Sequence, residues 1–97
     1  MSAVPSELKR LHLLVEGHVQ GVGFRFTTVQ VASQFSVAGF VRNLPNGDVE
    51  IVAEGTETDI HDFWTALRRS RVYRYVTREH VSWSPGRGDI REFSISY

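Results

Sequence analysis

The spacing of apolar residues changes period along this chain, and the order of those changes constrains the fold more than any other feature. From Lys9 to Glu16, Leu11, Leu13 and Val15 alternate with His12, Leu14 and Glu16, the period of a half-buried strand. Phe24, Thr28, Val31 and Phe35 then recur at helical spacing, and Val29 and Ala32 widen the same stripe. Val37 to Asn43 reads as a strand again. Leu44-Pro45-Asn46-Gly47 is a turn in which Pro presets φ and Gly allows a positive φ, and Val49, Ile51 and Ala53 form the returning strand, ended by Gly55.

Thr56 to Ser70 carries a second stripe in Ile60, Phe63, Trp64 and Leu67. Thr56 or Thr58 can cap it, Glu57, Asp59 and Asp62 lie at its positive end, and Arg68 and Arg69 lie at its negative end. Val76 to Trp83 and the alternating Phe93, Ile95 and Tyr97 predict two more strands, joined through Ser84-Pro85-Gly86-Arg87-Gly88. Two one-sided helices and this many strands can bury their apolar faces together only if both helices lie on one face of a shared sheet. The expected class is α+β: a ferredoxin-like two-layer sandwich of βαββαβ type, mainly antiparallel, with a short extra C-terminal strand. Residues 1–8 are expected to be a flexible N-terminal segment and 9–97 a single domain.

Composition narrows the function. The chain has 97 residues with 11 Lys plus Arg against 11 Asp plus Glu, so its net charge is zero, which argues against binding nucleic acid or a membrane through bulk electrostatics. With no cysteine there is no disulfide scaffold, thiolate nucleophile or Cys-ligated metal. Met1 to Arg10 has no apolar run behind its charges, and no segment approaches the ~18 apolar residues of a membrane span. A soluble, cytoplasmic protein is expected. The average also hides an asymmetry: every carboxylate lies outside Gly17 to Gly47, a stretch whose fixed charges are Arg25 and Arg42, with His18 as a further possible cation. That third of the chain is where an anion is expected.

It is also where the sequence is richest in glycine. Gly17-His18-Val19-Gln20-Gly21-Val22-Gly23 joins the first strand to the first helix. Such a turn can aim consecutive backbone N–H groups at one point, where the helix adds roughly half a positive charge. Arg25, in the first helical turn, can bring its planar fork to the same anion. The same residues would also serve as a tight connection beside a surface arginine; the acid-free surroundings favour the anion. The loop lacks the Lys-Ser/Thr of a nucleotide-binding P-loop and the third glycine of a dinucleotide fingerprint.

The string from Gly17 through Phe24 and Arg25, followed by Gly39-Phe40-Val41-Arg42-Asn43, resembles the two signatures of the acylphosphatase family, small hydrolases of carboxyl–phosphate mixed anhydrides. The resemblance runs from about Leu11 through the Pro45-Asn46-Gly47 turn to Phe93-Ser94-Ile95 and is loose over 71–91. It implies that Arg25 and the loop amides from Val19, Gln20, Gly21, Val22, Gly23 and Phe24 hold the phosphoryl group. Asn43 is implied to orient the attacking water. No metal and no cofactor are implied, and the partners are an acyl phosphate and inorganic phosphate, with a monomer expected. Phe40 stands where the family often has Trp, and His18 where Arg is common. Similar domains also occur as accessory parts of larger carbamoyl-transferring maturation enzymes, which leaves a non-catalytic anion-binding or regulatory domain as the alternative.

Other features are weaker. The four histidines show no metal-ligand spacing, and Ser82 and Ser84 lack a nucleophile's context. Arg68, Arg69, Arg71, Arg74 and Arg78, interleaved with Tyr73 and Tyr75, could bind single-stranded nucleic acid. The RNA-binding version of this topology, however, needs aromatics on the third strand, where this chain has Asp48 to Glu54. A solvated face is the better reading of the arginines, and Trp64 and Trp83 are expected in the core.

Overall fold

Strand β1 (Lys9–Gly17) is an interior strand of the sheet, and Leu11, Leu13 and Val15 on one of its faces are fully buried. The computed structural model describes residues 7–97, so the expected N-terminal segment lies outside them except for Glu7 and Leu8. After β1 come α1 (Phe24–Ala32), β2 (Ala38–Asn43), β3 (Val49–Gly55), α2 (Glu57–Arg68), a 3₁₀ turn (Arg71–Tyr75), β4 (Val76–Pro85) and β5 (Phe93–Ile95). The sheet order is β4-β1-β3-β2-β5, antiparallel except for the β2–β5 pair. This is the ferredoxin-like α+β sandwich, with β5 as the extra strand beside β2.

Register decides which side chains reach the helices. Leu11, Leu13 and Val15 pair with Ala53, Ile51 and Val49, and these in turn with Gly39, Val41 and Asn43, so all share the helix-facing side. Phe24, Thr28 and Ala32 of α1 and Ile60, Phe63, Trp64 and Leu67 of α2 close over them. Thr56 caps α2, accepting from the Asp59 N–H at 3.1 Å.

The opposite face carries charge. Arg42 donates to Glu50 at 2.5 Å, His12 meets Glu50 at 2.7 Å, His80 meets Glu16 at 2.5 Å, and Arg10 donates to Glu54 at 2.6 Å. Glu54 is 3% exposed despite its charge. The loop after β4 folds over it, and the Arg87 and Gly88 N–H groups donate to its carboxylate at 3.0 and 3.1 Å. Burial alone would raise the Glu54 pKa, but these two N–H groups and Arg10 outweigh burial and hold it below its ordinary value of 4.5. A depressed folded-state pKa adds stability that is present above that ordinary value and lost as pH falls through the folded one. Glu54→Ala, which strands Arg10 and two N–H groups, should cost about 3 kcal/mol in urea unfolding at neutral pH. The penalty should shrink on acidification below about pH 4; a penalty independent of pH would contradict the assignment.

One expectation needs correction. Trp83 is 39% exposed rather than core, because it sits on edge strand β4; the His61 ring of α2 lies 5.3 Å from it. The arginine run is solvated as expected: Arg68, Arg69, Arg71, Arg74 and Arg78 are all exposed. Within that exposed run Arg68 makes a two-pronged contact with Glu79 (2.8 and 3.2 Å) and lies 4.0 Å over the Trp64 ring. Tyr73, in the 3₁₀ turn, donates to the same Glu79 and packs its ring against Phe24. Burial, reinforced by that hydrogen bond, raises the pKa of its phenol, which stays protonated.

Candidate active site

The loop between β1 and α1 turns twice through backbone conformations that only glycine adopts without strain: φ is +81° at Gly21 and +83° at Gly23. Gly23 is the residue before α1, and it brings no side chain to the helix end. No acidic residue stands in the first turn of α1. The contrast with α2 is direct: there Thr56, Glu57 and Asp59 occupy the positive end, whereas the start of α1 has neither a capping side chain nor an acidic residue in its first turn.

Two side chains join this end of α1. Arg25 lies in the first turn, and its guanidinium stands 5.3 Å from the Tyr97 ring centroid. A ring over the face of the guanidinium leaves its in-plane N–H donors free. No carboxylate pairs with Arg25 among the described residues. Asn43 comes from the last position of β2, on the helix-facing side because strand alternation puts it in line with Val41. Its amide makes no side-chain hydrogen bond among the described residues.

These parts line one open pocket of about 140 Å³, formed by Val19, Gly21, Gly23, Phe24, Arg25, Phe26, Asn43 and Ile95. That volume suits a phosphoryl group and a small appendage, well below the ~300 Å³ at which pockets for drug-sized ligands begin. None of its lining residues carries a carboxylate. Six of the eight residues expected from the sequence therefore meet here. Gln20 and Val22 do not line the pocket: Val22 packs toward the core, and Gln20 turns the other way.

The same alternation that delivers Asn43 removes Arg42. It points to the opposite face of the sheet and is held by Glu50, so the local positive charge expected from both arginines reduces to Arg25. His18 is exposed. His12, His61 and His80 each face a glutamate (Glu50, Glu57 and Glu16).

Sequence reasoning missed two features. Gln20 was assigned a backbone role, but its side-chain amide donates to the carbonyls of Leu44 and Asp48 at 2.8 and 2.9 Å, strapping the loop to the turn that follows Asn43. Gln20→Glu presents a carboxylate to two carbonyl oxygens and should loosen both the loop and the turn. We expect weaker phosphate inhibition and a lower kcat together, each by about tenfold, at the lower end of the effect of two lost hydrogen bonds. Unchanged values of both would show the strap to be idle. The other feature is Phe26 and Ile95 in the pocket wall; a Phe lying off the apolar stripe of α1 was the available signal.

A family model described as acylphosphatase matches residues 11–95. An acylphosphatase of Bacillus velezensis is 41% identical over 86 residues, covering 89% of this chain and 96% of its own length. Among solved structures, the crystal structure of acylphosphatase from Bacillus subtilis has a TM-score of 0.83 at 36% identity, covering 92% of this chain and 99% of that one. The structure of an acylphosphatase from Coxiella burnetii gives a TM-score of 0.72 at 28% identity, covering 99% of this chain and 100% of that one. With the fold, the loop and nearly the full length all in common, the chain belongs to the acylphosphatase family.

Proposed function

We propose that this protein hydrolyses acyl phosphates to a carboxylate and inorganic phosphate by attack of water on phosphorus. The observation that carries this reading is the meeting, in one carboxylate-free pocket, of the uncapped start of α1, Arg25 and Asn43. The phosphoryl group sits on the N–H groups of the loop and on the Arg25 fork, which meet the charge of the phosphoryl oxygens. Asn43 both donates and accepts, so it can hold a water without titrating.

The water oxygen forms a bond to phosphorus opposite the acyl oxygen. The bond from phosphorus to that oxygen breaks, its electron pair leaves on the carboxylate, and the proton of the attacking water passes to the phosphate product or to solvent. Such a step needs positioning and charge stabilisation. A carboxylate with a pKa of ~4 to 5 departs without help from a general acid. Arg25 and the amides supply the positive charge, and no group of three His, Asp or Glu residues suited to a metal ion occurs among the described residues. We read the reaction as independent of metal.

Benzoyl phosphate turnover in excess chelator tests this. Steady turnover supports the reading; activity that disappears with chelator overturns its metal-free part, and absence of turnover under any condition overturns the whole.

A further inference from the structure

We infer that the acyl part of the substrate lies against Phe26 and Ile95, so that this chain favours acyl phosphates with an aromatic or otherwise apolar acyl group. This rests on the acyl-phosphate reading above. An acyl phosphate is charged at one end and uncharged beyond its carbonyl. Once the loop and Arg25 take the charged end, the remainder must meet whatever else lines the pocket, and apart from Asn43 the side chains left for it are apolar.

Phe26 is 64% exposed. It follows Phe24 by two residues, about 200° around α1, so it lies off the buried stripe and contributes little to the core. A lone exposed apolar residue is ordinary. This one, however, forms the wall of an anion pocket together with Ile95 from the neighbouring strand, immediately beside Arg25. The pocket lining also holds no second cation, because Arg42 is turned to Glu50 on the far side of the sheet. An acyl group bearing another negative charge would find no partner there, whereas a phenyl ring would cover the exposed face of Phe26.

The test is the ratio of kcat/KM for benzoyl phosphate to that for acetyl phosphate, measured in the wild type, Phe26→Ser and Phe26→Leu. Comparing ratios between variants cancels the intrinsic difference between the two leaving groups. The ratio should fall about tenfold in Phe26→Ser, the effect of one partly buried ring face, and be largely kept in Phe26→Leu. Inhibition by inorganic phosphate should be the same in all three. An unchanged ratio in Phe26→Ser overturns the inference, as does a parallel loss of phosphate inhibition, which would assign Phe26 to the loop instead. Failure of the wild type to turn over either compound would overturn the acyl-phosphate reading itself.

Discussion

Arg25→Gln should lower kcat/KM for an acyl phosphate by about 10² to 10³, the usual loss when one preorganised donor to a developing anion is removed. No neighbouring cation can compensate. Arg42, the other fixed positive charge of the acid-free stretch, is bonded to Glu50 across the hairpin, and the exposed His18 carries no fixed charge. In the proposed site Arg25 would contact the ground-state phosphate as well as the transition state, so inhibition by inorganic phosphate should weaken alongside kcat. Arg25→Lys keeps the charge but loses the fork, and should recover only part of the activity. Arg25 is partly exposed and its neighbour Tyr97 is 95% exposed, so thermal stability should barely change. Phosphate inhibition that stays at the wild-type level in Arg25→Gln would remove this residue from the anion site.

Asn43→Ala should separate the two functions of the site. Among the described residues its amide makes no side-chain hydrogen bond, and it lines the pocket from the end of β2, so in the proposed mechanism its loss would remove a water's anchor and leave the loop and Arg25 in place. We expect kcat to fall by about 10², the cost of a misplaced reactant, with phosphate inhibition little changed. Loss of phosphate binding with kcat spared would reverse the roles of Arg25 and Asn43.

Much of this was legible in the residues. The helical stripes and the alternating strands locate every principal element because burial imposes its period directly: Ile60, Phe63 and Leu67 could not be covered otherwise than on one helix face. The glycine loop was legible because positive φ at Gly21 and Gly23 narrows the choice of residue. The 3₁₀ turn from Arg71 to Tyr75 was not, since five residues with one buried valine are too short to show a period. The burial of Glu54 was not legible, because the loop that covers it arrives from more than thirty residues away. Arg42 was readable in principle: the turn from Leu44 to Gly47 sets a register that places it opposite Glu50, and the alternation that sends Asn43 to the pocket sends Arg42 away. Local charge along the chain and local charge in space differ by one strand's pleat. The Gln20 strap and the Trp83 edge position depend on contacts between distant segments, which no local pattern encodes.

The central claim is that water attacks phosphorus, held on the loop and Arg25, rather than the acyl carbon. Hydrolysis of benzoyl phosphate in ¹⁸O-enriched water, followed by mass spectrometry of both products, tests it most directly. The expected result is one labelled oxygen in the phosphate and none in the benzoate. Label in the benzoate would place the attack on carbon and contradict the assignment of the site.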